Sequence, residues 1–149
     1  PYSFEYPVYA NVLQDTSFFE DKPENPYWIN IDFPTLNGKI YISYKNIKGN
    51  NFDKLVDDAF KLTYKHSSKA TAIRDSVMRT PNAISGIYFK VGGNAATAQQ
   101  FFVTDSANHF LRGALYFDAT PNADSLSLVN NFLEVDMNHL INSLKWRKQ

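Results

Sequence analysis

Polar and apolar positions alternate with a period of two along most of the chain and switch to a helical period in two places. Residues 3–9 alternate, with Phe4 and Tyr6 on one face, and Pro7 cannot donate a ladder hydrogen bond, so this segment is expected to be an edge strand. Residues 15–26 gather Asp, Glu, Lys, Asn and two prolines into a polar loop broken by Phe18 and Phe19. Residues 27–33 put Tyr27, Ile29, Ile31 and Phe33 on one face and Trp28, Asn30 and Asp32 on the other. After a turn at 34–38, residues 39–44 send Ile40, Ile42 and Tyr44 inward, and the two segments predict an antiparallel hairpin.

The first helical stripe follows: Phe52, Leu55, Val56, Ala59, Leu62 and Thr63, with Asn51 as the expected N-cap. Asp53, Asp57 and Asp58 near its start and Lys61, Lys65 and His66 near its end complement the helix dipole. In residues 70–79 Ile73 and Val77 are four apart, yet the β-branched content and Pro81 favour a strand. Segments 84–91 and 95–104 flank Gly92-Gly93-Asn94, which supplies the positive φ that a tight hairpin turn needs. A turn at 105–108 and a strand at 109–118 complete a three-strand meander. Residues 121–125 end the sheet, with Asp124 or Ser125 as the expected N-cap of a final helix. Its stripe runs through Leu126, Val129, Leu133, Asp136 or Met137, Leu140, Ile141 and Leu144, and Trp146 follows as an expected core anchor. The pattern predicts one α+β domain over residues 1–149: a mostly antiparallel sheet layered with two principal helices, an α/β/α sandwich. This order of elements resembles that of the PsbP and Mog1 proteins, a likeness of topology alone.

Composition narrows the function more than the fold. Lys plus Arg and Asp plus Glu balance at 15 each, so no net field draws the chain to nucleic acid or anionic lipid. The absence of cysteine excludes disulfides, thiolate zinc sites and a cysteine nucleophile. No apolar run is long enough to span a bilayer, and the chain opens at Pro1 in strand-like sequence. It is therefore expected to be an ectodomain whose leader and linker lie outside it.

Candidate chemistry is sparse. Asp136 and His139 stand at i, i+3 on the final helix, a spacing that can share a metal, but no further ligands are placed beside them, so no metal or cofactor is expected. Neither a Gly-x-Ser-x-Gly elbow, a His-Glu-x-x-His motif nor a phosphate loop is present. Trp28, Tyr41 and Tyr88 are candidates to stack on a sugar or base, or to lie beneath helices.

The ordered set of Phe4-Glu5-Tyr6-Pro7, residues 28–34 and 38–44, Tyr64-Lys65-His66, residues 93–96, and residues 101–117 with the final helix to Trp146 resembles the Bacteroidetes gliding-motility lipoprotein GldD family. That resemblance implies a lipid-anchored domain of the cell envelope, in the periplasm, whose partners are envelope proteins of the gliding machinery and its associated secretion system. It implies no catalytic residues. In the family a cysteine often precedes the tryptophan matched by Trp28; here Tyr27 stands there, so a disulfide using that position cannot form. The leading expectation is a noncatalytic module that docks proteins through a sheet edge, exposed aromatics such as Phe18 and Phe19, or the 15–26 loop. The competing expectation is a ligand-binding or hydrolytic cleft near Asp105, His109 and Arg112. Asp75-Ser76-Val77, Asp105-Ser106-Ala107 and Asp124-Ser125-Leu126 resemble the Asp-Ser/Thr-apolar acceptor of O-glycosylation in these bacteria, which makes Ser76, Ser106 and Ser125 candidate glycan sites, although Asp-Ser is also ordinary turn chemistry.

Overall fold

A computed structural model describes residues 1–15, 23–65, 67–118 and 123–148, apart from the side chains of Ala123 and Ser125. The strands are β1 (Tyr2–Ser3), β2 (Asn11–Gln14), β3 (Ile29–Phe33), β4 (Gly38–Asn46), β5 (Ala70–Arg79), β6 (Ser85–Gly93), β7 (Thr97–Thr104), β8 (His109–Phe117) and β9 (Lys145–Trp146). Helix α1 (Phe52–Tyr64) follows β4 and helix α2 (Ala123–Ser143) follows β8. Seven strands form one antiparallel sheet in the order β2-β3-β4-β8-β7-β6-β5, and β1 pairs with β9 in a separate two-stranded clasp. The molecule is the α+β layered sandwich that the pattern predicts.

Each helix covers one face, and the period-two alternation decides which residues meet it. Phe101, Val103, Leu111 and Leu115 pack with Leu133, Met137, Leu140 and Ile141 of α2, together with Ile31, Phe33, Ile40 and Ile42. Their sequence neighbours Phe102 and Phe110 point the other way and join Phe89, Leu55 and Ala59 under α1. Burying a leucine- or phenylalanine-sized side chain contributes about 1.5–3 kcal/mol, so the α2 face, with the longer inventory, carries more of the stability. Asn51 caps α1 as expected, its Oδ1 accepting from the Lys54 backbone N–H at 3.1 Å. The Gly92-Gly93 turn forms, with Gly93 at φ +90°, and a Cβ there would meet the Thr71 backbone nitrogen at 2.7 Å.

Two expectations need correction. Residues 4–10 do not extend an edge strand: only Tyr2–Ser3 pair, with Lys145–Trp146. The chain turns at Pro7, whose carbonyl accepts from Ala10 N–H, and the segment lies along α2 through side chains, Glu5 N–H donating to Ser143 Oγ at 2.9 Å and Tyr9 OH to Asp136 Oδ2. A helix side offers no ladder partner, so alternating sequence there cannot become a strand. One edge of the sheet is instead the short β2, paired to β3, and the other is β5. The second correction concerns Asp124 and Ser125, the expected N-caps: both lie inside the first turn of α2, which begins at Ala123, and there the Asp124 charge still favours the helix N-terminus. Among the described residues no helix is long and apolar enough to cross a membrane.

Candidate ligand cleft

Helix α1 is a single helix against one side of a seven-stranded sheet. It lies over β6, β7 and the start of β8, and no other described helix lies over the β3–β4 half of that face. Along the flank of α1 from Leu55 to Lys65, a cleft of about 680 Å³ opens between the helix and the sheet. Its floor comes from β4 and β8, where Ser43 stands directly opposite Arg112 in the ladder; Trp28 closes one side and Leu55 and Leu62 of α1 the other. A second hollow of about 430 Å³ lies further along the same face and shares Tyr116 with the first. Tyr41 sits edge-on to Tyr116 there, at 5.9 Å between ring centroids.

The notable side chain is Arg112. It is 7% exposed, and desolvation lowers its pKa to about 10, a fall that neighbouring Tyr116 only partly opposes. Its guanidinium donates to Gln100 Oε1, an oxygen that also accepts from Thr63 Oγ1 at 3.1 Å, while Thr63 reaches back to Ala59 O. Gln100 Nε2 donates to the Tyr116 hydroxyl at 3.5 Å. A neutral amide thus orients the arginine. No carboxylate among the described residues pairs with it. Lys45, Lys61 and Lys65 stand around the opening, with Asp58 the acid among its lining residues.

Asp105 and His109 form a different cluster. His109 is three residues from Arg112 on β8, so the two project to opposite faces and the sheet separates them. On the α2 side the His109 ring stacks on Trp146, 4.8 Å apart and 13° from parallel, and its Nδ1 lies 2.6 Å from the Tyr44 hydroxyl. Asp105 closes the β7–β8 turn, one carboxylate oxygen accepting from the N–H groups of Ala107, Asn108 and His109 at 2.8–3.0 Å. Burial works against its ionisation, but those backbone bonds and His109 prevail and hold its pKa below the ordinary value. Burial pushes His109 down, with Asp105 opposing. Burial pushes Tyr44 up, aided by Asp105 and Tyr27. This is an interlocked turn with every charge answered.

The remaining candidates are scattered. Phe18, Phe19 and His66 lie outside the described residues, as does the side chain of Ser125. Ser76 is exposed on β5 and Ser106 is exposed in the β7–β8 turn, at φ +63°. Asp136 takes the Tyr9 hydroxyl, and His139 Nε2 lies 2.6 Å from Glu5 Oε2, so the pair faces the N-terminal segment on separate partners. No metal-ligating cluster forms among the described residues. Tyr88 lies under α2 with its hydroxyl toward Gln99 and Met137, whereas Trp28 lines the first hollow and Tyr41 the second. Gln100, Thr63 and Tyr116 were not expected at a site. Their signal is a glutamine and an arginine embedded in the apolar runs of β7 and β8, with Arg112 directly across from Phe102, one position along the same face from Gln100.

A family profile described as gliding motility lipoprotein GldD matches residues 1–146 of the 149. The chain belongs to the gliding motility lipoprotein GldD family. Membership implies a membrane-anchored location in the cell envelope and a part in gliding motility. No curated protein and no solved structure matches the chain. The likeness of its element order to PsbP and Mog1 therefore stands on topology alone.

Proposed function

We propose that this chain is a noncatalytic docking domain, held in the periplasm by a lipid anchor, that recruits proteins of the gliding machinery and its linked secretion system. The docking element is the outer edge of β5. One observation carries this reading: β5 runs for ten residues at the end of the sheet, with nothing among the described residues paired to its outer side. Its side chains are mostly exposed, Val77 at 82%. Long edges of this kind are a hazard unless blunted or used, and an extended segment of a partner can add to one by main-chain hydrogen bonds. At the opposite edge β2 has only four residues. The separation of His109 from Arg112 across the sheet further favours docking over a hydrolytic role.

The test is recruitment in gliding cells of the native host. Val77→Lys and Ala72→Lys, both at exposed β5 positions, are expected to abolish crosslinking to gliding-machinery components while leaving thermal stability within ~0.5 kcal/mol of wild type. Undiminished crosslinking by both folded variants contradicts strand addition.

A further inference from the structure

Arginine is rarely buried without an acidic partner, because its desolvated charge must be answered. Arg112 is 7% exposed, has an amide as its hydrogen-bonding neighbour, and lines a cleft of about 680 Å³. That volume is in the range of small-molecule sites. The guanidinium is a planar fork of five donors that matches the geometry of carboxylate and phosphate oxygens. Its side-chain bond to Gln100 uses one nitrogen, Nη2. The walls are apolar and aromatic: Trp28, Leu55 and Phe110. Trp28 is fixed there by its indole N–H donating to Tyr44 O at 2.8 Å. At the opening, Lys45 is drawn to Glu24 at 3.4 Å and Lys61 to Asp57 at 2.8 Å, whereas Lys65 pairs with none of the described carboxylates.

We propose that this cleft binds a small organic anion, with its carboxylate or phosphate head against the Arg112 guanidinium and its apolar body along Trp28, Leu55 and Phe110. The ligand supplies the acid that no described residue provides. Lys65 steers the anion in and Gln100 holds the fork at the correct angle. The site is on the face of the sheet, not its edge, so ligand binding and strand addition on β5 stand or fall separately.

The experiment is an NMR titration of the chain with hexanoate, phenylphosphate and inorganic phosphate, following Arg112 Nε–H and the Trp28 indole N–H. Saturable shifts of both signals with hexanoate or phenylphosphate are expected, and which one binds more tightly identifies the head group. Arg112→Met is expected to weaken binding at least about tenfold. Because that variant alters the Gln100–Thr63 network and can fail to fold, Lys65→Glu on the exposed end of α1 provides a second test, with an expected loss of about threefold. Unperturbed Arg112 with all three probes, or equal affinities for wild type and Lys65→Glu, overturns the proposal. Inorganic phosphate binding as tightly as phenylphosphate overturns the role of the apolar wall.

Discussion

At the scale of single residues, two positions set measurable limits on the fold. The β8 glycine, Gly113, faces the ring of Phe101, which occupies the space where a Cβ would stand. Gly113→Ala is therefore expected to cost about 1–3 kcal/mol through overpacking, read as a lowered urea midpoint with an unchanged slope. His109 makes the fold sensitive to acid. Its pKa lies below its ordinary 6.5 in the folded state, so the unfolded chain binds the proton more readily. Stability from this residue is complete above 6.5 and declines as pH falls toward the folded pKa. Asp105, held below its ordinary 3.8, adds a second loss only under stronger acid. Urea melts between about pH 7 and pH 5 should show wild-type stability falling, and His109→Gln should flatten that dependence. An unchanged slope in the variant would assign the effect elsewhere. The residues themselves were legible in part. His109, Arg112 and Asp105 stood out as polar positions at the rim or interior of an apolar strand, but the parity that places Arg112 opposite His109 separates a group that looked convergent in sequence.

Among elements, legibility followed how far each segment's partner lies from it in sequence. The β3–β4 and β6–β7 hairpins and helix α1 carry their own signals in turn glycines, alternation and the Asn51 cap, and all three form at the expected places. Asn51→Ala removes the acceptor for Lys54 N–H and is expected to cost about 1 kcal/mol, measured by thermal or urea unfolding. The segments that differed answer to distant partners. Residues 4–10 alternate like a strand but meet the side of α2, more than a hundred residues away in sequence, through Glu5–His139 and Tyr9–Asp136. Strand β2, Asn-Val-Leu-Gln, sets two apolar residues side by side between two polar ones and so shows no period-two alternation; Val12 is half-buried and the others are exposed, Leu13 at 57%. A short edge strand has little hydrophobic pattern to display.

For the whole molecule, two features organise the function. The chain ends are closed on each other: Tyr2 pairs with Trp146, Arg147 N–H donates to Pro1 O at 2.6 Å, and Trp146 stacks on His109. Trp146 is thus a clasp between the β1–β9 pair and the sheet as much as a core anchor. Trp146→Ala is expected to cost about 3 kcal/mol and to raise the His109 pKa by exposing its ring, which an NMR titration of that ring would read. The second feature is unequal covering. Helix α2 packs on one face, whereas on the other α1 lies over β6, β7 and the start of β8 alone, and nothing among the described residues pairs with the outer side of β5. The count and order of strands and helices were largely readable in sequence, but the cleft was not, because it lies between the flank of α1 and strands β4 and β8, and β8 is far from the other two in sequence. The central functional claim is that the open β5 edge is where this lipoprotein meets the gliding machinery. A photo-crosslinking residue placed at position 77 of the anchored protein in gliding cells tests it most directly, with position 128, exposed on α2 at 81%, as the reference. The account predicts a discrete adduct with a component of that machinery from position 77 and none from position 128; no such adduct at 77, or the same adduct from both, contradicts it.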